Sequence, residues 1–248
     1  MILLDRFVTA PEPCPYLPDE TSRLLYEVVA ELTPQEYETR INTGWRKFGA
    51  FLFRPVCPTC RECRPLRVLV NDFSPDRSQR RALDANTDLI VRFAAPTADD
   101  ARANLYNRYQ AAQTDRKGWD ATQKTVADYA ESFVWNPLPT AVEVSVWHGE
   151  TLIAVALTDT TPTTVSGVYH FHDPGDDWRK RSLGTFTILQ TVALAAHLAK
   201  PYAYFGYTVA GCGSLNYKVR YKPCEIQNEA GEWQPVASPH DQLKLRFT

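Results

Sequence analysis

"TAVEVSVWHGETLIAVALTDTTPTTVSGVYHFHD", residues 140–173, alternates with a period of two. Successive side chains of a strand point to opposite faces, so this period predicts strands rather than helix. His148-Gly149 and Thr161-Pro162 interrupt it with turn signals, which cuts the stretch into a three-stranded antiparallel meander. Downstream, "SLGTFTILQTVALAAHLAK" (182–200) is a long, largely apolar helix opened by Ser182 and Gly184, "YAYFGYTV" (202–209) is a further strand, and "EIQNEAGEWQPV" (225–236) is a hairpin.

Upstream the pattern is more broken. Pro11, Pro13, Pro15 and Pro18 keep the chain around Cys14 extended or turning. "SRLLYEVVAEL" (22–32) reads as strand. "TPQEYETRINTG" (33–44) reads as a short helix with Thr33 as N-cap, Pro34 in the first turn and Gly44 as its stop. "RKFGAFLFRPV" (46–56) is expected to be one strand running into "CPTCREC" (57–63), and "RPLRVLVNDF" (64–73) a strand leaving it. "SPDRSQRRALDANTDL" (74–89) reads as a basic helix capped by Ser74 or Asp76. There Arg77, Arg80 and Arg81 share one face. A short strand (90–96), a helix capped by Thr97 (97–116) and a shorter helix (122–134) complete the list. The boundary between two regions falls within 82–97.

Composition sets limits. A hydrophobic fraction of 44% and a charged fraction of 23% fit an ordinary globular chain, and a net charge of −2 leaves any nucleic-acid affinity to local patches. "MILLDRFVTA" meets Asp5 and Arg6 too early for a signal peptide, and no run reaches the length of a membrane helix, so the expected place is the cytoplasm. Thiols stay reduced there, and the six cysteines read as ligands, reactive groups or packing. Cys14, Cys57, Cys60 and Cys63 offer four thiolates, for which zinc, an iron–sulfur cluster and simple packing are the open alternatives.

Meander, glycine-containing turn, helix and strand follow one another in an order that resembles the core of the GNAT acetyltransferase fold. There a glycine-rich turn binds a cofactor pyrophosphate. "RKRSLGTF" (179–186) keeps a single glycine of that loop, which argues against coenzyme A.

The motifs become specific as an ordered set: "CPYLP" (14–18), "LTPQEYETRINTGWRKFG" (32–49), "FRPVCPTCRECRPLRV" (53–68), "FSPDRSQRRAL" (73–83), "YHFHDP" (169–174), "RSLGTFTILQ" (181–190) and "YAYFGYTVAGCGSLNYKVRYKP" (202–223). Together they resemble the bacterial aspartate/glutamate leucyltransferases of the arginyl-tRNA–protein transferase family. His172 stands where that pattern carries an aromatic residue, and "GCGSLNYK" is looser than its counterpart. The resemblance implies a mixed α+β fold: a cysteine-bearing α+β acceptor-recognition region over 1–90, then a GNAT-like acyltransferase domain over 91–248. It implies transfer of an amino acid, usually leucine, from aminoacyl-tRNA to proteins that begin with Asp or Glu. An arginyl-tRNA donor and a non-catalytic N-degron or RNA-binding module on the same fold are the alternatives.

Roles follow from chemistry. Aminolysis of an activated ester requires positioning and oxyanion stabilisation more than a covalent nucleophile, and no cofactor is required for it. Asp173 is the candidate acid/base or amine-binding group, with Tyr169 beside it. Phe171, which shares a strand face with Tyr169, would wall the leucyl pocket. Tyr207 and Cys212 are candidates for the donor site. Of the basic group Arg46, Arg54, Arg61, Arg64 and Arg67, Arg54 and Arg67 are favoured to grip an acidic side chain, because a guanidinium matches a carboxylate with two parallel hydrogen bonds. Arg77, Arg80, Arg81, Lys218, Arg220 and Lys222 are candidates for tRNA phosphate contacts.

Overall fold

The computed structural model describes residues 1–117 and 123–236, so the end of the second region, 237–248, lies outside the described residues. In chain order the elements are β1 (Ile2–Val8), β2 (Glu12–Pro13), β3 (Thr21–Ser22), β4 (Leu24–Glu31), α1 (Pro34–Asn42), β5 (Arg46–Phe48), β6 (Phe51–Pro55) and β7 (Arg64–Leu69). Next come α2 (Arg77–Asp84), β8 (Ile90–Ala94), α3 (Asp100–Lys117), α4 (Val126–Phe133), β9 (Ala141–His148), β10 (Thr151–Thr160) and β11 (Thr164–His172). The chain continues through α5 (Asp176–Arg179), α6 (Leu183–His197), β12 (Tyr202–Thr208), α7 (Gly213–Asn216), β13 (Cys224–Gln227) and β14 (Trp233–Pro235).

The expected meander forms: β9, β10 and β11 pair antiparallel in sequence. They belong to an eight-stranded sheet of order β14-β13-β7-β12-β11-β10-β9-β8. Period-two alternation sends the strand residues to two layers. Ala154 and Ala156 of β10 face α6, whose Phe186, Ile188 and Val192 are buried against that side. Val155 and Leu157 face the other way, against Leu105 and Tyr109 of α3 and Tyr129 and Phe133 of α4. The fold is therefore helix, sheet and helix, with a mixed α+β composition. Among the described residues no helix is long and apolar enough to cross a membrane.

A four-stranded sheet, β1-β4-β6-β5, packs with α1 against the large sheet. Its core of Leu25, Val29, Tyr37, Ile41, Trp45 and Leu52 closes over Tyr204 of β12. α1 follows its sequence closely. Thr33 accepts from the Glu36 N–H while Glu36 reaches back to the Thr33 N–H, and Gly44 takes a φ of +80° just past the helix end.

Two local expectations change. The single strand expected at 46–56 is a hairpin, β5 and β6, because Gly49 takes a φ of +55° and lets the chain reverse. α3 is capped by Asp99, not Thr97: the Asp99 carboxylate accepts from the Arg102 N–H at 2.9 Å. Ser182 opens α6 as expected, standing at its N-cap with a φ of 52° and no side-chain capping hydrogen bond. Asp76, one of two candidates, caps α2.

Candidate functional site

β11 and β12 run parallel but pair only over Thr164–Ser166 and Tyr202–Tyr204. Beyond that point they diverge. β11 also carries an irregularity there: Leu157 and Thr158 of β10 face Tyr169 and Gly167, so Val168 is an extra residue. The sheet thus opens into a fork, and the fork is the floor of a cleft of about 580 Å³. Its walls are β11, the residues beyond β12, and the face of α6 formed by Gly184, Thr187, Ile188 and Thr191 at one-turn spacing.

Arg46, from the β5 hairpin, is inserted into the fork. Its Nη2 donates to the carbonyls of Gly167 at 2.8 Å and Val168 at 3.4 Å. Its Cζ lies 5.5 Å from the centre of the Tyr204 ring. Lys218 also lines the cleft, and its Nζ donates to the Tyr207 carbonyl at 2.7 Å. Burial of the ammonium, with the Arg46 charge as a second cause, lowers Lys218 to about 7. Burial likewise lowers His172 and raises Tyr169.

A second cavity of about 280 Å³ lies on the other side of Tyr16, Phe53 and Tyr207, which line both spaces. It is walled by Cys14, Cys57, Cys60 and Cys63 together with Arg54, Arg61 and Arg64. The sequence neighbours Cys57, Cys60 and Cys63 meet Cys14 because the proline-rich segment folds back over the β6–β7 connection. Burial, reinforced by the other three thiols, pushes Cys63 up to about 12. Four facing thiols are a soft donor set suited to zinc or an iron–sulfur cluster. Among the described residues, no three His, Cys, Asp or Glu side chains stand close enough together to hold a metal ion as the thiols are placed here.

Other predicted site residues separate into groups. Arg54 reaches the thiol cavity, stacked 5.2 Å from Trp45, with its Nε buried and unpartnered. Arg67 does not reach it. Leu66 and Val68 point into the α6 core, so alternation sends Arg67 to the opposite face. There it pairs with Glu225 at 2.7 Å between the rings of Tyr202 and Trp233. Phe171 is fully buried in the α3–α4 core and lines neither of the two cavities, whereas Tyr169 reaches the cleft and its hydroxyl accepts from Gln110 at 2.8 Å. Tyr207 is buried between the two cavities and its hydroxyl donates to the Gly44 carbonyl at 2.7 Å. Cys212 bonds Ser214, which is on the cleft wall.

Asp173 has both oxygens engaged. Oδ2 accepts from Arg108 at 2.8 Å and Oδ1 from the Gly175 N–H at 2.9 Å, and the residue lines neither cavity. Arg77, Arg80 and Arg81 are exposed on α2, and Gln79 ties that helix to the Arg220 carbonyl at 3.2 Å, so Arg220 joins the same basic surface. Lys222, half-buried, lies two residues on. Lys218 is drawn inward instead, because the turn carrying it packs under β12. Sequence reasoning counted Arg46 only as one of five arginines and passed over Tyr16. Nothing in local spacing marks a side chain that bridges to carbonyls 121 residues away.

The models of the arginine-tRNA-protein transferase N terminus and C terminus match residues 12–81 and 101–228. An aspartate/glutamate leucyltransferase of Campylobacter jejuni is 33% identical over 220 residues, covering 89% of this chain and 91% of its own. That of Rhodopseudomonas palustris is 34% identical over 249 residues, covering 96% of this chain and 94% of its own. The crystal structure of FemX shares the fold, with a TM-score of 0.51 at 8% identity over 98% of this chain and 90% of that one. Taken with the ordered motifs and the paired cavities, these matches establish that the chain belongs to the arginine-tRNA-protein transferase family.

Proposed function

We propose that the chain transfers leucine from leucyl-tRNA to the α-amine of proteins that begin with Asp or Glu, marking them for N-degron degradation in the cytoplasm. The observation that carries this reading is the common wall of two cavities at Tyr16, Phe53 and Tyr207. A two-substrate transfer needs two adjoining sites, one for each partner. The larger cleft, at the fork of a GNAT-like core, takes the aminoacyl end of the tRNA. The smaller cavity takes the acidic N-terminal residue, with Arg54 the best-placed guanidinium. The α2 surface with Arg220 supplies phosphate contacts to the tRNA body, and the named leucyltransferase relatives favour leucine over arginine as the cargo.

The chemistry asks little of the protein beyond placement. An α-amine has a pKa of about 7.7–8.0, so a sizeable fraction is neutral near pH 7. Its lone pair attacks an activated ester, and the enzyme must orient both and stabilise the oxyanion that forms. The thiol quartet is proposed as a site for zinc or an iron–sulfur cluster, and no step passes through it. Metal and sulfide analysis of protein purified without oxygen, against Cys57→Ser, tests that assignment; equal content in both removes it.

The test of function is mass spectrometry of Asp-, Glu- and Ala-initiated peptides incubated with the chain and charged leucyl- or arginyl-tRNA. A leucine-sized gain on the acidic peptides alone is expected. An arginine-sized gain overturns the donor, and no gain with either overturns the enzyme reading in favour of a binding module.

A further inference from the structure

The fork of the sheet holds a guanidinium that is spent on one side and idle on the other. Arg46 Nη2 is held by the Gly167 and Val168 carbonyls. Arg46 Nη1 is buried and has no hydrogen-bond partner. An unmet buried donor costs roughly 1–3 kcal/mol, more when charged, and a ligand, an ion or an ordered water is what would complete it. No described carboxylate forms an ion pair with Arg46, so its charge is also unbalanced. Next to it Tyr16 stands on the wall common to both cavities and feels the Arg46 charge. On the function proposed above, an acceptor amine entering from the thiol side would pass Tyr16 into the cleft that Arg46 lines.

We propose that Arg46 is a catalytic residue, its Nη1 donating to the carbonyl oxygen of the donor ester and stabilising the oxyanion formed during transfer. This rests on the function proposed above. The amine lone pair forms the new C–N bond, and the carbonyl π pair moves onto oxygen, against Arg46 Nη1. Collapse restores the carbonyl and breaks the bond to the ribose oxygen, which takes up the proton lost by nitrogen. Nothing is oxidised or reduced. The two carbonyl contacts on Nη2 hold the guanidinium in the fork before substrate arrives.

The experiment is single-turnover transfer from leucyl-tRNA to an Asp-initiated peptide, with the full chain and its Arg46→Met and Arg46→Lys variants. A non-hydrolysable amide-linked leucyl-adenosine measures donor binding. Loss of an oxyanion donor typically lowers turnover about 10²–10³-fold. Arg46→Met is expected to show that loss, with peptide KM and analogue affinity within about threefold of wild type. Arg46→Lys, which keeps the charge but not two separate donors, is expected to lose at least about tenfold, and it decides the question if the Met variant does not fold. Wild-type turnover in Arg46→Lys overturns the proposal. So does an unchanged rate with lost discrimination between Asp- and Asn-initiated peptides, which would make Arg46 an acceptor-reading group. A wild-type chain that transfers nothing overturns the function itself, and the inference falls with it.

Discussion

A Cβ placed on Gly206 would lie 2.6 Å from both Cζ and Nε of Arg46. Glycine is required here twice over, since Gly206 also takes a φ of +72°, where an L side chain costs about 1–2 kcal/mol. Gly206→Ala is expected to lower stability by about 2–4 kcal/mol, strain and overpacking together, and to push the guanidinium out of the fork. Denaturant unfolding measures the first effect. A transfer rate reduced at least tenfold in the folded variant measures the second, and an unchanged rate would detach Gly206 from the placement of Arg46.

Lys218 titrates near 7 in the fold against 10.5 when free, so the unfolded chain binds the extra proton between those values. Stability should rise with pH across that window, while below about 7 the cost of charging the ammonium is fully present. Above about 9 the raised thiol of Cys63 and the raised tyrosines work in the opposite direction, which leaves roughly 7 to 9 as the clean interval. Lys218→Met should flatten the melting temperature across pH 7–9 and raise it at pH 7. Thermal unfolding at unit pH steps checks both signs.

Both oxygens of Asp173 are used within its own turn and by Arg108, which is half-exposed. An exposed ion pair contributes little, and a turn-capping carboxylate about 1 kcal/mol. Asp173→Ala is expected to cost about that much stability and to leave transfer within about threefold. A loss of an order of magnitude in single-turnover rate would return Asp173 to the reaction, as its position after the apolar strand first suggested.

Arg54 and Arg67 were indistinguishable by position in sequence and differ in the fold. Arg54→Met should raise KM for Asp- and Glu-initiated peptides about tenfold or more, the scale of one charge-assisted pair, with little change at saturation. Arg67→Met should instead lower stability by breaking its contacts with Glu225, Tyr202 and Trp233. Steady-state kinetics beside denaturation curves separate the two; reversed effects would place acceptor reading at the β7–β13 side.

What was legible in the sequence was whatever repeats locally. Period two exposed β9 to β11, the capping box of α1 was spelled by Thr33 and Glu36, and the ordered cysteines and arginines marked the smaller cavity. The fork was not legible, because it is made by strands that part company and by Arg46 arriving from another sheet. Lys218 reads as a surface cation in "NYKVRYKP" because short-range pattern carries no information on which way a tight turn faces. The hairpin at Gly49 was passed over for a related reason: its flanking residues are uniformly strand-like, and one backbone angle decides the outcome.

β7 sits in the large sheet between β12 and β13, and Arg67 there faces Tyr204 on one side and Glu225 on the other. At a synthesis rate of roughly 5–20 residues per second, the 137 residues from Arg67 to Tyr204 take about 7–30 s to appear. Throughout that interval β7 has been made and has neither neighbour, leaving Leu66 and Val68 without the core that later buries them. Nascent chains ending before Tyr202 should accordingly be rich chaperone clients, and the large sheet closes around β7 only when β12 and β13 have left the ribosome.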